Sequence, residues 1–211
     1  MLKSVTFIKE HRCFKVGDTV DFLDGITLLV GEQGCGKSTL LRLLANDGGE
    51  KRAEVVKTSV TEEVRKNSVR TKYFDCEKHN PRTADMNATR DNDVYAYSLI
   101  SRFKSHGESI LPILGHIAKE KERHIFFIDE PDMAMSVRSI EKIKKVFAKA
   151  VKSGHQIIAS AHNPFMILGF KEVYSLEHRK VMSSVEFVES HLGKNLGKII
   201  PLKLLDLIKA L

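Results

Sequence analysis

The sequence contains no apolar run that approaches the roughly 20 residues needed to cross a lipid bilayer. Its start, residues 1–10, also lacks the long apolar segment and the small-residue cleavage site of a secretory signal. Both absences argue against direct insertion into a membrane and lead us to expect a cytoplasmic location. Internal repeats, low-complexity stretches and heptad runs are absent too, so we expect residues 1–211 to form one domain.

Cysteine is scarce, because Cys13, Cys35 and Cys76 are the only three and show no C-x-x-C spacing. This pattern argues against a zinc site and against a framework of disulfides. Cys35 lies within a glycine-rich segment, where two interpretations stay open. Its thiol could be reactive, or Cys35 is a small residue whose backbone N–H matters, and we favour the second.

Basic residues are in excess, with a formal net charge of +7 and a sequence pI of about 9.2. Such a charge favours polyanionic partners such as nucleic acid, although many nucleotide-binding proteins are mildly basic. Charge alone therefore leaves contact with DNA open. The hydrophobic fraction of 42% and the charged fraction of 29% are those of a globular domain with a sizeable core.

The strongest motif is residues 31–39, which fit the phosphate-binding pattern G-x-x-x-x-G-K-[ST]. The apolar run 26–30 and the helix-like run 40–44 flank it, which is the strand–loop–helix context that this pattern requires. We expect the N–H groups of the loop and the dipole of the new helix to surround phosphate oxygens. Lys37 would reach the β- and γ-phosphates, and the Ser38 hydroxyl would hold Mg²⁺. The predicted phosphate-binding residues are Gly31, Glu32, Gln33, Gly34, Cys35, Gly36, Lys37, Ser38 and Thr39.

A second motif ends the apolar run 125–128, which we expect to be a buried parallel strand. Asp129 and Glu130 follow it, at the sheet edge where α/β proteins bind ligands. In phosphoryl transfer Asp129 is placed to hold Mg²⁺ and Glu130 to polarise the attacking water. The alternative is that the two acids only begin a loop, and the phosphate loop upstream argues against it.

Two further signals are weaker alone. The segment 105–109, Ser-His-Gly-Glu-Ser, precedes a helix predicted over 110–120 with Pro112 in its first turn, and a simple helix cap would look the same. His162 follows a strand predicted over 156–160, where a side chain can reach a γ-phosphate. A lone histidine is more often structural.

Together, in this order, the four motifs resemble the nucleotide-binding domain of the ATP-binding-cassette (ABC) ATPases over nearly the whole chain. Residues 31–39 look like the Walker A motif, 125–130 like Walker B, and 105–109 like the signature motif. The resemblance implies a P-loop NTPase of the α/β class with a mostly parallel core sheet. It also implies an N-terminal antiparallel β part, a helical signature part over about residues 77–122, and ATP and Mg²⁺ as cofactors.

The resemblance assigns roles to single residues. Catalysis would depend on Glu130, Lys37 and His162, which matches the switch histidine. Ser105 and Gly107 would contact the γ-phosphate bound to a second copy of the chain. We therefore expect an ATP-bound homodimer.

This sequence departs from the transporter pattern in several places. His106 and Glu108 replace the usual signature residues, and residues 131–136, at the D-loop position, are not the common version. No glutamine stands at the Q-loop position, where only Asp75 or Glu77 lies. These departures make an ATP-binding subunit of an ABC transporter an alternative and not the leading interpretation. A nucleotide-dependent binding module with little turnover is the other alternative.

Within the superfamily, the segment Arg12-Cys13-Phe14 and the strands after it resemble the RecF, Rad50 and SMC branch. That likeness implies DNA repair, DNA maintenance or phage defence, a partner that is DNA or another protein, and a nucleotide contact from Arg12. No coiled-coil insertion separates the Walker motifs, so we expect a compact head without arms.

Periodicity predicts the remaining elements. The helix predicted over 136–153 is basic and amphipathic, and its lysines either touch nucleic acid or form an ordinary solvated face, which we favour. Residues 51–70 stay unassigned. Strands are predicted over 2–8, 19–22, 26–30, 70–75, 125–128, 156–160, 172–176 and 180–187, and helices over 40–45, 93–103, 110–120, 136–153 and 199–211.

Overall fold

The computed structural model of the chain describes residues 1–46, 51–61, 69–78 and 106–192. Its strands are β1 (Leu2–Phe7), β2 (Thr19–Asp21), β3 (Ile26–Val30), β4 (Val56–Val60), β5 (Arg70–Asp75), β6 (His124–Asp129), β7 (Gln156–Ser160), β8 (Glu172–Ser175) and β9 (Lys180–Ser183). Its helices are α1 (Lys37–Ala45), α2 (Arg52–Val55), α3 (His106–Ile117), α4 (Val137–Lys152), α5 (Pro164–Ile167) and α6 (Ser184–Leu192).

The larger sheet has six strands in the order β5-β6-β7-β3-β8-β9. Its neighbours pair in parallel from β5 to β8, and only β9 runs antiparallel, to β8. All six residues of β6 are buried, as expected for a central parallel strand covered on both faces. The predicted mostly parallel core sheet is confirmed, and it brings the carboxyl ends of β3, β6 and β7 to one edge.

The smaller sheet contains three antiparallel strands in the order β2-β1-β4. It confirms the predicted antiparallel part near the N-terminus. β4 falls in the segment that the sequence left unassigned. Its burial alternates, but the polar residues Lys57, Thr58 and Ser59 give no alternation of apolar and polar residues from which a strand could be predicted.

Side chains on the two faces of the large sheet join two separate cores, because successive strand residues point to opposite faces. One core packs the sheet against α3, α4, α5 and α6, and it contains Leu28, Phe126, Ile128 and Ile157. The other packs it against α1 and the small sheet, and it contains Leu29, Ile125, Phe127 and Ile158.

Two predicted elements have different bounds in the structure. The strand predicted over 180–187 ends at Ser183, and α6 begins at Ser184 because Phe187 and Val188 reach the core with helical rather than alternating spacing. α3 spans residues 106–117 instead of 110–120. As a result Pro112 lies inside the helix, where it removes one backbone hydrogen bond, and not in the first turn.

The helices predicted over 93–103 and 199–211 lie outside the described residues, as does most of the predicted helical part over 77–122. Among the helices that the structure describes, none is long and apolar enough to cross a membrane.

Candidate active site

The loop between β3 and α1 begins the site. Gly36 caps α1 with a φ of +105°, in the region that disfavours side chains. A Cβ added there would lie 2.4 Å from the Cys13 sulfur and 2.9 Å from the Phe14 ring. Phe14 in turn stacks on Phe7 at 4.3 Å. The N-terminal segment therefore packs directly on the loop and requires glycine at position 36.

Lys37 lies beneath this loop and is only 5% exposed. Its Nζ donates to the carbonyl oxygens of Gly31 at 2.7 Å and Glu32 at 2.8 Å. The Cys35 sulfur is 3.6 Å from the same Nζ. Burial raises the pKa of the Cys35 thiol, although nearby Lys37 opposes the shift. A raised pKa keeps the thiol protonated, which favours the structural interpretation of Cys35 over a reactive one.

The loop is also anchored from the other end of the chain. The backbone N–H of Glu32 donates to the Glu177 carboxylate, whose second oxygen lies 2.9 Å from Nε2 of His191. Sequence reasoning missed Glu177 because it lies in the turn between β8 and β9, where acids are common.

Asp129 occupies the carboxyl end of β6 and is 4% exposed. Three hydroxyl groups donate to its carboxylate. Ser38 and Ser160 reach Oδ1 at 3.0 and 2.7 Å, and Tyr73 reaches Oδ2 at 3.1 Å. The structure therefore brings the two predicted metal ligands, Ser38 and Asp129, into direct contact.

The Tyr73 hydroxyl is held in turn by Arg42 of α1. Arg42 Nε donates to it at 3.0 Å, and the same guanidinium donates to Asp75 Oδ2 at 3.0 Å. Because the hydroxyl accepts from Arg42, its own proton is directed to Asp129. Burial raises the pKa of Tyr73, which keeps this proton in place. Asp75, one of the two acids at the Q-loop position, thus belongs to this chain of contacts.

Glu130 follows Asp129 with a φ of +51°, a left-handed conformation that is costly for a residue with a side chain. Its N–H donates to Ser160 Oγ at 2.8 Å. Its Oε1 lies 3.1 Å from Nε2 of His162, with side-chain exposures of 34% and 40%. The predicted catalytic pair is therefore assembled, and it faces solvent.

Asp132 positions the loop that carries His162. It is buried, and its Oδ2 accepts from the backbone N–H groups of His162 at 2.9 Å and Asn163 at 2.6 Å. Oδ1 has no hydrogen-bond partner among the described residues. Burial raises the pKa of Asp132. Its distance of two residues from Glu130 was the available sequence signal.

Two cavities meet over these residues. One of about 240 Å³ lies between the loop and the Glu130–His162 pair. All the residues that line it were expected from the sequence to belong to the site: Gln33, Gly34, Gly36, Lys37, Ser38, Thr39, Glu130 and His162. The other, of about 410 Å³, shares Gln33, Glu130 and His162 with it and extends over Asp132, Met133, Ala134 and Asn163.

The remaining predicted residues differ in how the structure places them. Arg12 NH1 lies 3.5 Å from the Thr39 hydroxyl, at the start of α1. Gly107 lies in the first turn of α3. Ser105 falls outside the described residues.

The buried lysine, the acid at the end of β6 and the glycine loop between strand and helix define a P-loop nucleotide-binding site. A family model described as "ATPase family associated with various cellular activities (AAA)" matches residues 27–169. This chain therefore belongs to the AAA family of ATPases. No match was found among curated proteins.

Solved structures support the same fold. The SMC head domain from Thermotoga maritima is 15% identical with a TM-score of 0.54, covering 82% of this chain and 94% of that one. An ABC transporter in an inward-facing conformation is 17% identical with a TM-score of 0.52, covering 81% and 76%. CbiO1 from Clostridium perfringens, part of the ABC transporter complex cbiONQ, is 16% identical with a TM-score of 0.50, covering 88% of each chain. These likenesses confirm the predicted ABC-type head fold.

Proposed function

We propose that this ATPase hydrolyses ATP with Mg²⁺ between two copies of the chain, and that it serves DNA maintenance, repair or phage defence in the cytoplasm. The observation that carries the proposal is the Glu130–His162 pair, which opens onto the cavity lined by Lys37 and Ser38. Its solvent-facing side leaves room for the residues of a second copy.

The oxygen donors at Ser38 and Asp129 fit Mg²⁺, a hard cation that prefers hydroxyl and carboxylate oxygens. When bound there, it would neutralise the negative charge of the phosphates. Lys37 would turn from its two carbonyl partners to phosphate oxygens, while the loop N–H groups surround them.

Glu130 would orient and deprotonate the attacking water, because its carboxylate is the half-exposed acid beside the phosphate loop. His162 would fix that carboxylate and approach the γ-phosphate. Ser105 and Gly107 of a second copy would complete the site, and ATP would therefore hold the two heads together.

Replacement of Glu130 by Gln tests this proposal, since it removes the base and preserves shape. We expect turnover to fall about 10²–10⁴-fold, with an ATP- and Mg²⁺-dependent dimer in light scattering. Lys37→Ala is the control, which should bind little ATP and stay monomeric. A Glu130→Gln protein that binds ATP yet remains a monomer would contradict the model.

The two alternatives make different predictions. A binding module would show little turnover in the unmodified chain, and a transporter subunit would show turnover without salt-dependent binding of DNA. The positive charge of the chain and its resemblance to RecF, Rad50 and SMC heads favour the DNA-related role.

A further inference from the structure

Helix α4 presents a continuous basic face to solvent. Its 16 residues include six basic side chains and one acid, Glu141. Five of the six recur at intervals of three or four positions, which places them on one side of the helix. This basic stripe, all of it exposed, consists of Arg138, Lys142, Lys145, Lys149 and Lys152.

The stripe lies directly opposite the side that α4 buries. On that side, four residues point into the core and are 0% exposed: Ile140, Ile143, Phe147 and Ala150. At about 1.5 Å per residue, the stripe is about 21 Å long. Its geometry is therefore fixed by the packing of the helix and not by a flexible loop.

Acids nearby do not neutralise the stripe. Glu141 pairs with Lys144, the sixth basic residue, which is itself half-buried. Asp24, whose neighbour Gly25 packs on Val151 near the end of α4, pairs with Lys3. Within the described part of the chain, no ion pair involves a stripe residue. Five positive charges thus stand together without an ion-pair partner among the residues that the structure describes, although helices usually intersperse both signs.

This face of α4 is not built to insert into a membrane. A helix that binds in the bilayer interface inserts an apolar side, and the apolar side of α4 is already in the core. Duplex nucleic acid fits better, because DNA carries one negative charge per about 1.7 Å of axis, or about a dozen along the length of the stripe.

We propose that the basic stripe of α4 is a docking surface for the phosphate backbone of duplex DNA. The choice of DNA as the partner rests on the proposed DNA-related function, and the inference adds the surface that binds it. Lysine and arginine contacts to phosphate carry no base information, so binding is independent of sequence. It also weakens steeply with salt.

A charge-matched pair of variants tests the surface. The stripe variant replaces Lys142, Lys145, Lys149 and Lys152 by Gln, a residue of similar helix propensity. The control variant replaces four exposed lysines elsewhere, Lys9, Lys57, Lys121 and Lys171, by Gln. Both lose the same charge, and neither alters a residue of the candidate active site.

Binding to a labelled 30-base-pair duplex of arbitrary sequence is measured by fluorescence anisotropy at several salt concentrations, with ATP and Glu130→Gln as background. We expect the stripe variant to reduce the slope of log affinity against log salt by about 3 to 4 for each stripe that contacts the duplex, at about 0.9 per phosphate contact. We expect the control variant to keep most of the slope.

An equal loss of salt slope in the two variants would overturn the proposed docking surface, since only the net charge of the chain would then matter. DNA binding that survives in the stripe variant would refute the stripe and leave the DNA-related function standing. No DNA binding by the Glu130→Gln chain with its stripe intact would overturn both the stripe and the DNA-related function, while the ATP-dependent dimer would remain testable by itself. Tighter binding to an acidic protein such as polyglutamate than to DNA would assign the stripe to another class of partner.

Discussion

Asp129 and Glu130 are adjacent acids with opposite surroundings. Asp129 is buried and receives three hydroxyl donors, one of them locked by Arg42. Glu130 is half-exposed, its carboxylate contacts Nε2 of His162, and its backbone adopts a conformation that costs energy. The same strand end thus supplies one acid that is already in place and one that faces an open cavity.

The difference in surroundings matches the different roles proposed for the two acids. A single chain fully preorganises the acid proposed to hold the metal, since each hydroxyl fixes one of its oxygens. The acid proposed to act on water is held loosely until something covers the cavity. This arrangement supports the proposed mechanism, in which the phosphate-binding half is ready in one chain and a second copy completes the catalytic half.

Alanine replacements should separate the two acids most strongly in stability. Asp129→Ala leaves three hydroxyls without their acceptor, and we expect the free energy of unfolding to fall by about 3 kcal/mol. Glu130→Ala removes one exposed pair and should change it by less than about 1 kcal/mol. Urea unfolding without nucleotide measures both. A stable Asp129→Ala protein would show that burying this acid is itself costly, and it would break the comparison.

The sequence predicted the well-patterned half of this site and missed its supports. Residues 31–39, Asp129, Glu130 and His162 carry recognisable spacing, and the apolar runs before them place them at one sheet edge. Tyr73 and Arg42 carry no such signal, because the contact between them joins β5 to α1 only after the sheet has formed. β4 and α6 were missed for a related reason, since tertiary packing decided their conformation against a weak local pattern.

Tyr73→Phe should sharpen the comparison by loosening Asp129 without removing it. We expect a loss of about 1 kcal/mol in stability. We also expect an increase of about fivefold in the Mg²⁺ concentration that half-saturates ATP binding, because Oδ2 loses its directed donor. Equilibrium binding of a fluorescent ATP analogue at varied Mg²⁺ measures the shift.

Tyr174→Phe is the matched control for that experiment. Tyr174 is buried where Tyr73 is half-buried, and its hydroxyl donates to the Thr19 carbonyl at 2.9 Å, away from the acids. It should cost similar stability and leave the Mg²⁺ dependence unchanged. Equal shifts in both variants would mean that general loosening, and not Asp129, sets the Mg²⁺ dependence.

Asp132→Asn should give the smallest effect and concerns the exposed half of the site. Burial raises the pKa of Asp132, so the folded chain holds that proton more tightly than the unfolded chain. The stability from this group is therefore present below the ordinary aspartate pKa of about 4 and is lost as pH rises through the folded value.

Asparagine keeps an acceptor for the N–H groups of His162 and Asn163 but cannot ionise. We therefore expect the stability of Asp132→Asn relative to the unmodified chain to rise from pH 4 to pH 7, by less than about 1 kcal/mol. Urea unfolding at several pH values, without nucleotide, measures the difference. A relative stability that falls with pH would mean that the two N–H donors lower the pKa of Asp132 more than burial raises it. The His162 loop would then be held by a charged anchor, and the catalytic half would be as preorganised as the binding half.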